Sequence, residues 1–270
     1  MFNTTIATQI YAKICFEATN SQKKIIENLS EYLSDDDFSR IFVLNGFAGT
    51  GKTTLIAAVV AALKELRIKP VLLAPTGRAA KVLARYCGEQ ALTIHKRIYR
   101  QRTNADYESK FSLDFNREQG AVFIVDEASM LSDSTGDGAL FGSGSLLEDL
   151  VSYVRSGRGC RLILVGDSAQ LPPVGCDFSP ALDPATVSRY GEVVYGLMDE
   201  VVRQQMQSGI LFNATLVRCM LENRIYEIPK FEMDYPDFES VEGGDFMEKL
   251  QDAFDRYGRD EVIVITRSNK

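Results

Sequence analysis

The stretch GFAGTGKT, residues 46–53, joins an apolar run at Ile41–Leu44 to a helical pattern at Lys52–Leu66. It matches G-x-x-x-x-G-K-[ST] in the strand–loop–helix context in which that motif holds phosphate groups. The glycines allow backbone N–H groups to close around an anion, and the helix start adds the positive end of its dipole. We therefore predict a phosphate-binding loop, whose candidate contacts are Gly46, Ala48, Gly49, Thr50, Gly51, Lys52, Thr53 and Thr54.

Two side chains of this loop have separate expected roles. Lys52 supplies a cation for the β- and γ-phosphates of a nucleotide, and the Thr53 hydroxyl is a ligand for Mg²⁺. ATP and Mg²⁺ are therefore the predicted cofactors.

Apolar runs rich in Ile, Val and Leu alternate with helical patterns along the chain. Runs without polar alternation are typical of strands that are buried on both faces. The predicted strands are Ile41–Leu44, Val71–Ala74, Ala121–Val125 and Arg161–Val165, and the predicted helices are Lys52–Leu66, Gly77–Tyr86 and Leu146–Val154. This order predicts a doubly wound parallel α/β sheet, with ligands beyond the carboxyl ends of its strands.

Two carboxylates, Asp126 and Glu127, follow the predicted strand Ala121–Val125. Mg²⁺ prefers oxygen ligands, which suits Asp126, and Glu127 is then placed to orient or deprotonate the attacking water. The alternative for an acidic pair after a strand is a cap for the next helix. Beside a phosphate-binding loop we favour the catalytic interpretation.

A polar turn, GDSAQLPP at residues 166–173, follows the predicted strand Arg161–Val165. Gln170 in this turn is a candidate hydrogen-bonding partner of the γ-phosphate or of its attacking water. The alternative is an ordinary loop amide, and spacing does not decide between the two.

Two stretches interrupt the alternation of strands and helices. Residues 97–120 contain two strand-like pieces, Ile98–Arg100 and Phe111–Phe115, which predict a hairpin inserted in the sheet domain. Residues 133–145 are rich in Gly, Ser and Asp and predict a mobile loop.

The composition becomes acidic after about Val201, and a last strand is predicted at Glu261–Thr266. We therefore predict a nucleotide-binding domain at residues 1–200, which contains the hairpin, and an incomplete second domain at residues 201–270.

Charge is unevenly distributed along the chain. The net charge is −7, but residues 76–117 hold nine Lys/Arg against four acids. A locally basic segment suits a phosphate backbone. The alternative is a solvated charged face.

The five cysteines are scattered and form no C-x-x-C pair. This pattern argues against a zinc site or a disulfide framework and indicates a reducing cytoplasm. No apolar run approaches the roughly 18 residues that span a bilayer, and the N-terminus lacks a secretory signal pattern. We expect a cytoplasmic protein that has no membrane partner.

Six blocks follow one another in a recognisable order: GFAGTGKTT, APTGRAAKVL, TIHK, VDEAS, LVGDSAQLPPVG and VVRQ. Their order resembles that of superfamily 1 DNA helicases of the RecD/Dda type, and the match runs from about Ser21 to Arg218. The resemblance implies a RecA-like ATP-binding domain followed by the beginning of a second RecA-like domain. It also implies 5′→3′ unwinding that is driven by ATP hydrolysis, with single-stranded DNA and duplex junctions as partners. We expect the protein to act as a monomer.

The resemblance implies roles for further residues. Gln22 resembles the upstream glutamine that reads the adenine edge; alternatively it is a surface residue on a helix capped by its neighbours. Thr76 and Arg78 match the segment that holds phosphates of single-stranded DNA, and the alternative for Arg78 is an ion pair with an acid.

Two more residues complete the implied set. His95 matches the next DNA-side motif, and its alternative is a satisfied buried polar group. Arg203 resembles the arginine that reaches the γ-phosphate from the domain interface, and its alternative is a structural role.

In the family that this chain resembles, such an insert acts as a wedge at the duplex junction. Here it presents Tyr99, Tyr107, Phe111 and Phe115. The alternative is a surface hairpin whose aromatic rings pack on its own base.

Two other functions remain open at this point. An RNA helicase of the same superfamily would have similar phosphate-tracking residues, and an ATP-gated DNA-binding module would hydrolyse ATP without unwinding. The later motifs of the family have no counterpart here, so we interpret the chain as the N-terminal part of a longer motor that is poorly active alone.

Overall fold

The computed structural model describes residues 2–103, 109–133, 141–200 and 208–266. The chain divides into two compact units, Met1–Arg203 and Gln204–Lys270.

The first unit is built on a six-stranded sheet in the order β3-β2-β6-β7-β1-β8, and its strands run parallel. The strands of the unit are β1 (Ile41–Gly46), β2 (Pro70–Ala74), β3 (Ala91–Thr93), β4 (Tyr99–Thr103), β5 (Ser109–Leu113), β6 (Val122–Val125), β7 (Arg161–Gly166) and β8 (Val193–Met198). The four predicted strands are confirmed as β1, β2, β6 and β7, which are buried along nearly their whole length.

The two edge strands, β3 and β8, were not predicted from the sequence. β3 has three half-buried residues, and β8 alternates between buried and exposed positions toward its end. Neither has the continuous apolar run that marks a strand covered on both faces.

The helices are α1 (Phe2–Lys13), α2 (Asn20–Ser34), α3 (Lys52–Glu65), α4 (Gly77–Cys87), α5 (Ile94–Ile98), α6 (Leu146–Ser156), α7 (Pro184–Val187), α8 (Gly209–Glu222) and α9 (Phe246–Tyr257). Side-chain caps explain where several of them begin, because Thr19, Thr76 and Ser145 each accept a hydrogen bond from the first turn of their helix. The three predicted helices are confirmed as α3, α4 and α6.

The core lies in two layers because alternate residues of each strand face opposite sides of the sheet. Phe42 and Leu44 of β1 pack with α1, α2 and α3, whereas Ile41 and Val43 pack with α5 and α6. Helices on both faces confirm the doubly wound α/β architecture.

The predicted hairpin is present as the antiparallel pair β4–β5, with Tyr99 opposite Leu113. Its tip, residues 104–108, lies outside the described residues, and so does Tyr107. Phe141 and Gly142, in the loop that was predicted to be mobile, contact the hairpin: the Phe111 and Phe141 rings stack at 4.5 Å, and Gly142 N donates to Phe111 O at 2.9 Å.

The second unit contains α8 and α9, and its described residues, 208–266, form no strand. The Asn213 side chain of α8 makes two hydrogen bonds to the Glu232 backbone: its Nδ2 donates to Glu232 O and its Oδ1 accepts from Glu232 N, each at 2.8 Å. The strand predicted at Glu261–Thr266 is wrong. Its apolar side chains are exposed, 61% for Ile263 and 87% for Ile265, because no neighbouring strand among those residues pairs with it. That residues 201–270 begin a second RecA-like domain stays a prediction.

In the described ranges, no helix combines the length and the apolar character needed to cross a membrane.

Candidate active site

The phosphate-binding loop connects the end of β1 to the start of α3. Gly49 and Gly51 adopt φ angles of 76° and 85°, in the left-handed region that favours glycine. Gly51 caps α3 without any side-chain hydrogen bond, so the first-turn N–H groups are left for an anion. A Cβ at Gly46 would lie 2.9 Å from the Lys52 side chain, which explains the glycine that begins the motif.

Lys52 lies at the centre of the site and is half-buried. Its ammonium donates to the carbonyl oxygens of Gly46 and Phe47, and it lies 3.8 Å from Asp167 Oδ2. Burial lowers the pKa of Lys52, while the negative charges of Asp167, Glu127 and Asp126 act in the opposite direction. A bound phosphate would replace the carbonyl contacts and would favour the charged form of Lys52.

Gln22 lies beneath the loop and is fully buried. Its Nε2 donates to Thr50 O at 2.9 Å, and its Oε1 accepts from Thr19 N at 3.0 Å. The alternative that Gln22 is a surface residue is wrong, because the capping box of α2 turns this side chain inward against the loop.

Asp126 and Glu127 directly follow β6, and both interact electrostatically with Lys52. Burial raises the pKa of Asp126, and burial together with the neighbouring Asp126 charge raises the pKa of Glu127. Glu127 has φ 55° and ψ 38°, a left-handed conformation that is uncommon for a non-glycine residue. Such strain costs about 1–3 kcal/mol and is concentrated at functional sites. Glu127 occupies the N-cap position of the short 3-10 turn after it, as the alternative expects, but its side chain makes no cap hydrogen bond there.

Gln170 follows β7, and its side-chain amide lies close enough to Glu127 to lower the pKa of that carboxyl. The structure thus brings together two candidates from different strands, and Gln170 is more than an isolated loop amide. The backbone turn that presents it is closed by Gln170 N donating to Asp167 O at 3.1 Å.

Asp167 is a member of the site that sequence reasoning did not single out. It is 3% exposed, and its Oδ1 accepts from Ala169 N at 2.9 Å while Oδ2 faces Lys52. Its signal in the sequence was a carboxylate directly after a buried strand, the same signal that identified Asp126.

Asn45 was missed as well, although it is a polar residue inside an apolar strand. Its Nδ2 donates to Ser168 Oγ at 2.8 Å and to Tyr195 Oη at 3.0 Å, and its Oδ1 accepts from Ser168 N at 3.0 Å. This amide ties β1, β7 and β8 together just below the turn that carries Gln170.

The residues present fit a nucleotide with Mg²⁺. Uncapped N–H groups and Lys52 suit the phosphates, and Asp126 is a desolvated carboxylate that a divalent cation would stabilise in its ionised form. In the part of the chain that the structure describes, no cluster of three or more His, Cys, Asp or Glu side chains forms a metal cage. Mg²⁺ is usually bound by one or two protein oxygens, substrate phosphates and water. Thr53, in the first turn of α3, and Asp126 are the residues that would hold it.

The DNA-side candidates lie at the same edge of the sheet, after β2 and β3. Thr76 is exposed and caps α4, with its Oγ1 accepting from Ala79 N at 3.2 Å. Arg78 is exposed and has no acidic partner in the described ranges, so the alternative of an ion pair finds no support there.

His95 lies in a cluster of aromatic side chains. Its ring centroid is 5.0 Å from that of Phe141 and 5.6 Å from that of Tyr99, and burial lowers the pKa of the imidazole. The half-buried ring supports the hairpin base, which agrees in part with the alternative of a buried polar group. Arg203 lies outside the described residues.

The chain belongs to the AAA domain family, whose profile matches residues 17–212. Among curated proteins it is 31% identical over 154 residues to the ATP-dependent RecD2 DNA helicase of Deinococcus radiodurans, covering 57% of this chain and 19% of that protein. It is 34% identical over 136 residues to the ATP-dependent DNA helicase dda of Enterobacteria phage T4, covering 48% of this chain and 28% of that protein.

Among solved structures, the fold is similar to that of a Pif1 helicase from Bacteroides in complex with ADP-AlF3 and ssDNA. The TM-score is 0.50 at 18% identity, and the match covers 92% of this chain and 58% of the other. These relatives confirm the resemblance to RecD/Dda-type helicases and the RecA-like α/β fold. The chain spans less than a third of the length of the two curated relatives.

Proposed function

We propose that this chain is the ATP-binding part of a DNA helicase that moves along single-stranded DNA and unwinds duplexes 5′→3′ by hydrolysing Mg-ATP. The observation that carries the proposal is the meeting of Lys52, Glu127 and Gln170 at the carboxyl edge of one parallel sheet. The helicase names of the curated relatives support the choice of DNA as the substrate.

The side chains divide the chemistry among them. Lys52 neutralises charge on the β- and γ-phosphates, and Mg²⁺, when bound by Thr53 and Asp126, supplies further charge neutralisation. Glu127 accepts a proton from the attacking water, because its raised pKa brings it closer to the working pH than an ordinary glutamate. Gln170, which lies beside Glu127, holds that carboxylate in place and senses the γ-phosphate.

Arg203 and the second unit complete the proposal. Arg203 would stabilise negative charge on the γ-phosphate, and residues 201–270 would begin the second RecA-like domain. Thr76, Arg78 and His95 would lie along the DNA.

Two substitutions in the full-length protein test the site. Lys52→Ala removes the cation facing the phosphates, so we expect weak ATP binding and no DNA-stimulated turnover. Glu127→Gln keeps the shape of the side chain but removes the base, so we expect retained Mg-ATP binding with hydrolysis lowered about 10²-fold or more. The measurements are nucleotide binding by a fluorescent ATP analogue and phosphate release with and without single-stranded DNA.

Three outcomes would contradict parts of the proposal. Normal ATP turnover by Lys52→Ala would show that Lys52 does not act on the phosphates. An unchanged rate of hydrolysis by Glu127→Gln would show that Glu127 is not the base. Stimulation of the parent protein by single-stranded RNA but not DNA would favour an RNA helicase, and ATP turnover without strand separation would favour an ATP-gated binding module.

A further inference from the structure

Helix α4 carries a basic and aromatic stripe on its solvent side. The stripe consists of Arg78, Lys81, Val82, Arg85 and Tyr86, which are spaced i, i+3, i+4, i+7 and i+8 and so share one face of the helix. All five are exposed, and the Tyr86 side chain is 61% exposed. The opposite face is anchored by Ala80 and Leu83, which are buried in the sheet unit.

The cations of the α4 stripe have no acidic partner in the part of the chain that the structure describes. Helix α4 contains no Asp or Glu, and within the described ranges Arg78, Lys81 and Arg85 form no salt bridge. Lys64 on the neighbouring helix, by contrast, pairs with Glu89. Three cations on one helix face that form no ion pair with the described residues, in a chain of net charge −7, suit an anionic partner.

The position of α4 indicates which anion the stripe binds. The helix begins at Thr76, directly after β2, at the edge of the sheet where the DNA-side candidates lie. From Arg78 to Arg85 the helix rises about 10 Å. That length allows cations one helical turn apart to contact different phosphates of one strand. An exposed tyrosine at the far end adds a ring on which a base can stack.

We propose that the α4 stripe is a contact for single-stranded DNA that extends beyond Thr76 and Arg78. In this arrangement Lys81 and Arg85 contact successive phosphates, and Tyr86 stacks on a base. The inference rests on the proposed function, since it adds a surface for the same DNA.

The salt dependence of DNA binding tests the charged part of the stripe. Each phosphate that a protein neutralises on a single strand contributes about 0.7 to the steepness of log affinity against log salt. The double variant Lys81→Gln/Arg85→Gln should therefore show a slope shallower by about 1.4, measured by fluorescence anisotropy of a labelled oligothymidine at several KCl concentrations. The matched control is Lys23→Gln/Lys24→Gln, which removes two exposed lysines from α2 and should leave the slope unchanged.

Tyr86 is tested by a different readout of the same assay. Tyr86→Ala should weaken DNA binding at least about fivefold. Its slope of log affinity against log salt should equal that of the parent, because stacking depends little on salt. Tyr86→Phe keeps the ring and should bind like the parent protein. Thermal melts identify any variant that has lost its fold, and Tyr86 is exposed enough for the alanine variant to fold.

The outcomes separate this inference from the proposed function. If the parent protein does not bind single-stranded DNA, both fail. If the parent binds but the Lys81/Arg85 variant keeps the parent slope, the stripe is overturned and the proposed function stands. An equally shallow slope in the α2 control would show a general charge effect and would also overturn the stripe.

Discussion

Gln22 links two parts of the nucleotide site through one amide. Its Oε1 closes the capping box of α2, and its Nε2 holds the carbonyl of Thr50, in the middle of the phosphate-binding loop. The side chain is fully buried, so its geometry favours support of the loop over reading of the adenine edge. We infer that Gln22 is a positioning residue for the phosphates.

Replacement of Gln22 distinguishes support of the loop from base recognition. Gln22→Ala leaves the Thr50 carbonyl buried without its partner, which costs about 1–3 kcal/mol. We expect a lower Tm and an equal decrease in affinity for ATP and GTP, measured by thermal melts and nucleotide competition. Lys23→Ala, an exposed change on the same helix, serves as the control. A selective decrease in the preference for ATP at parent stability would instead assign Gln22 to the adenine.

The β4–β5 hairpin is an element with a rigidly held base. Tyr99 Oη donates to Asp149 Oδ2 at 2.6 Å, and Ser143 N donates to the same carboxylate at 3.0 Å. The Phe141 ring packs on both Tyr99 and Phe111. The aromatic rings therefore connect the hairpin to α6 and to the segment before it. A hairpin that separates the strands at a duplex junction would need such a fixed base.

Shortening the hairpin tests whether it acts as a wedge. Replacing residues 103–109 by a short Gly-containing turn should abolish unwinding of a forked duplex while DNA-stimulated ATPase is retained. Tyr99→Phe should give a smaller decrease in unwinding, because the hydrogen bond to Asp149 is removed and the ring packing is kept. Tyr11→Phe, on α1, is the matched control. Full unwinding by the protein with the shortened hairpin would show that the hairpin is a surface element that strand separation does not need.

At the scale of the whole molecule, the buried carboxylate of the active site lowers the stability of the folded state. Burial raises the pKa of Asp126, which means that the folded state holds this proton more tightly than the unfolded chain does. The folded state is therefore favoured at low pH and loses stability as the pH rises through the folded pKa. At neutral pH the ionised, desolvated carboxylate destabilises the nucleotide-free protein.

Asp126→Asn should raise the Tm of the nucleotide-free protein at pH 7, because it removes that buried charge. The gain should shrink as the pH falls toward the ordinary aspartate pKa of about 3.9. Saturating Mg-ATP at 100 times its Kd should stabilise the parent by about 2.7 kcal/mol and the variant by less. Thermal melts across pH with and without Mg-ATP measure both effects, and Asp36→Asn, an exposed change, is the control. A variant less stable than the parent at pH 7 would show that Asp126 is satisfied in the free protein.

The sequence by itself determined the local features of this protein. The phosphate-binding loop, the four buried strands and the acidic pair after β6 were predictable, because glycine placement and apolar runs act over a few neighbouring residues. The order of the six blocks was sufficient to indicate the family.

The tertiary structure decided which distant residues meet. Asp167 faces Lys52 because β7 pairs with β1, and Gln22 supports Thr50 because α2 packs beneath the loop. No local sequence pattern predicts either arrangement. The edge strands β3 and β8 form by pairing with strands remote in sequence, whereas the apolar residues 261–266 find no such partner among the described residues of their unit. A strand needs a neighbour as well as a pattern, since its backbone hydrogen bonds are made to another part of the chain.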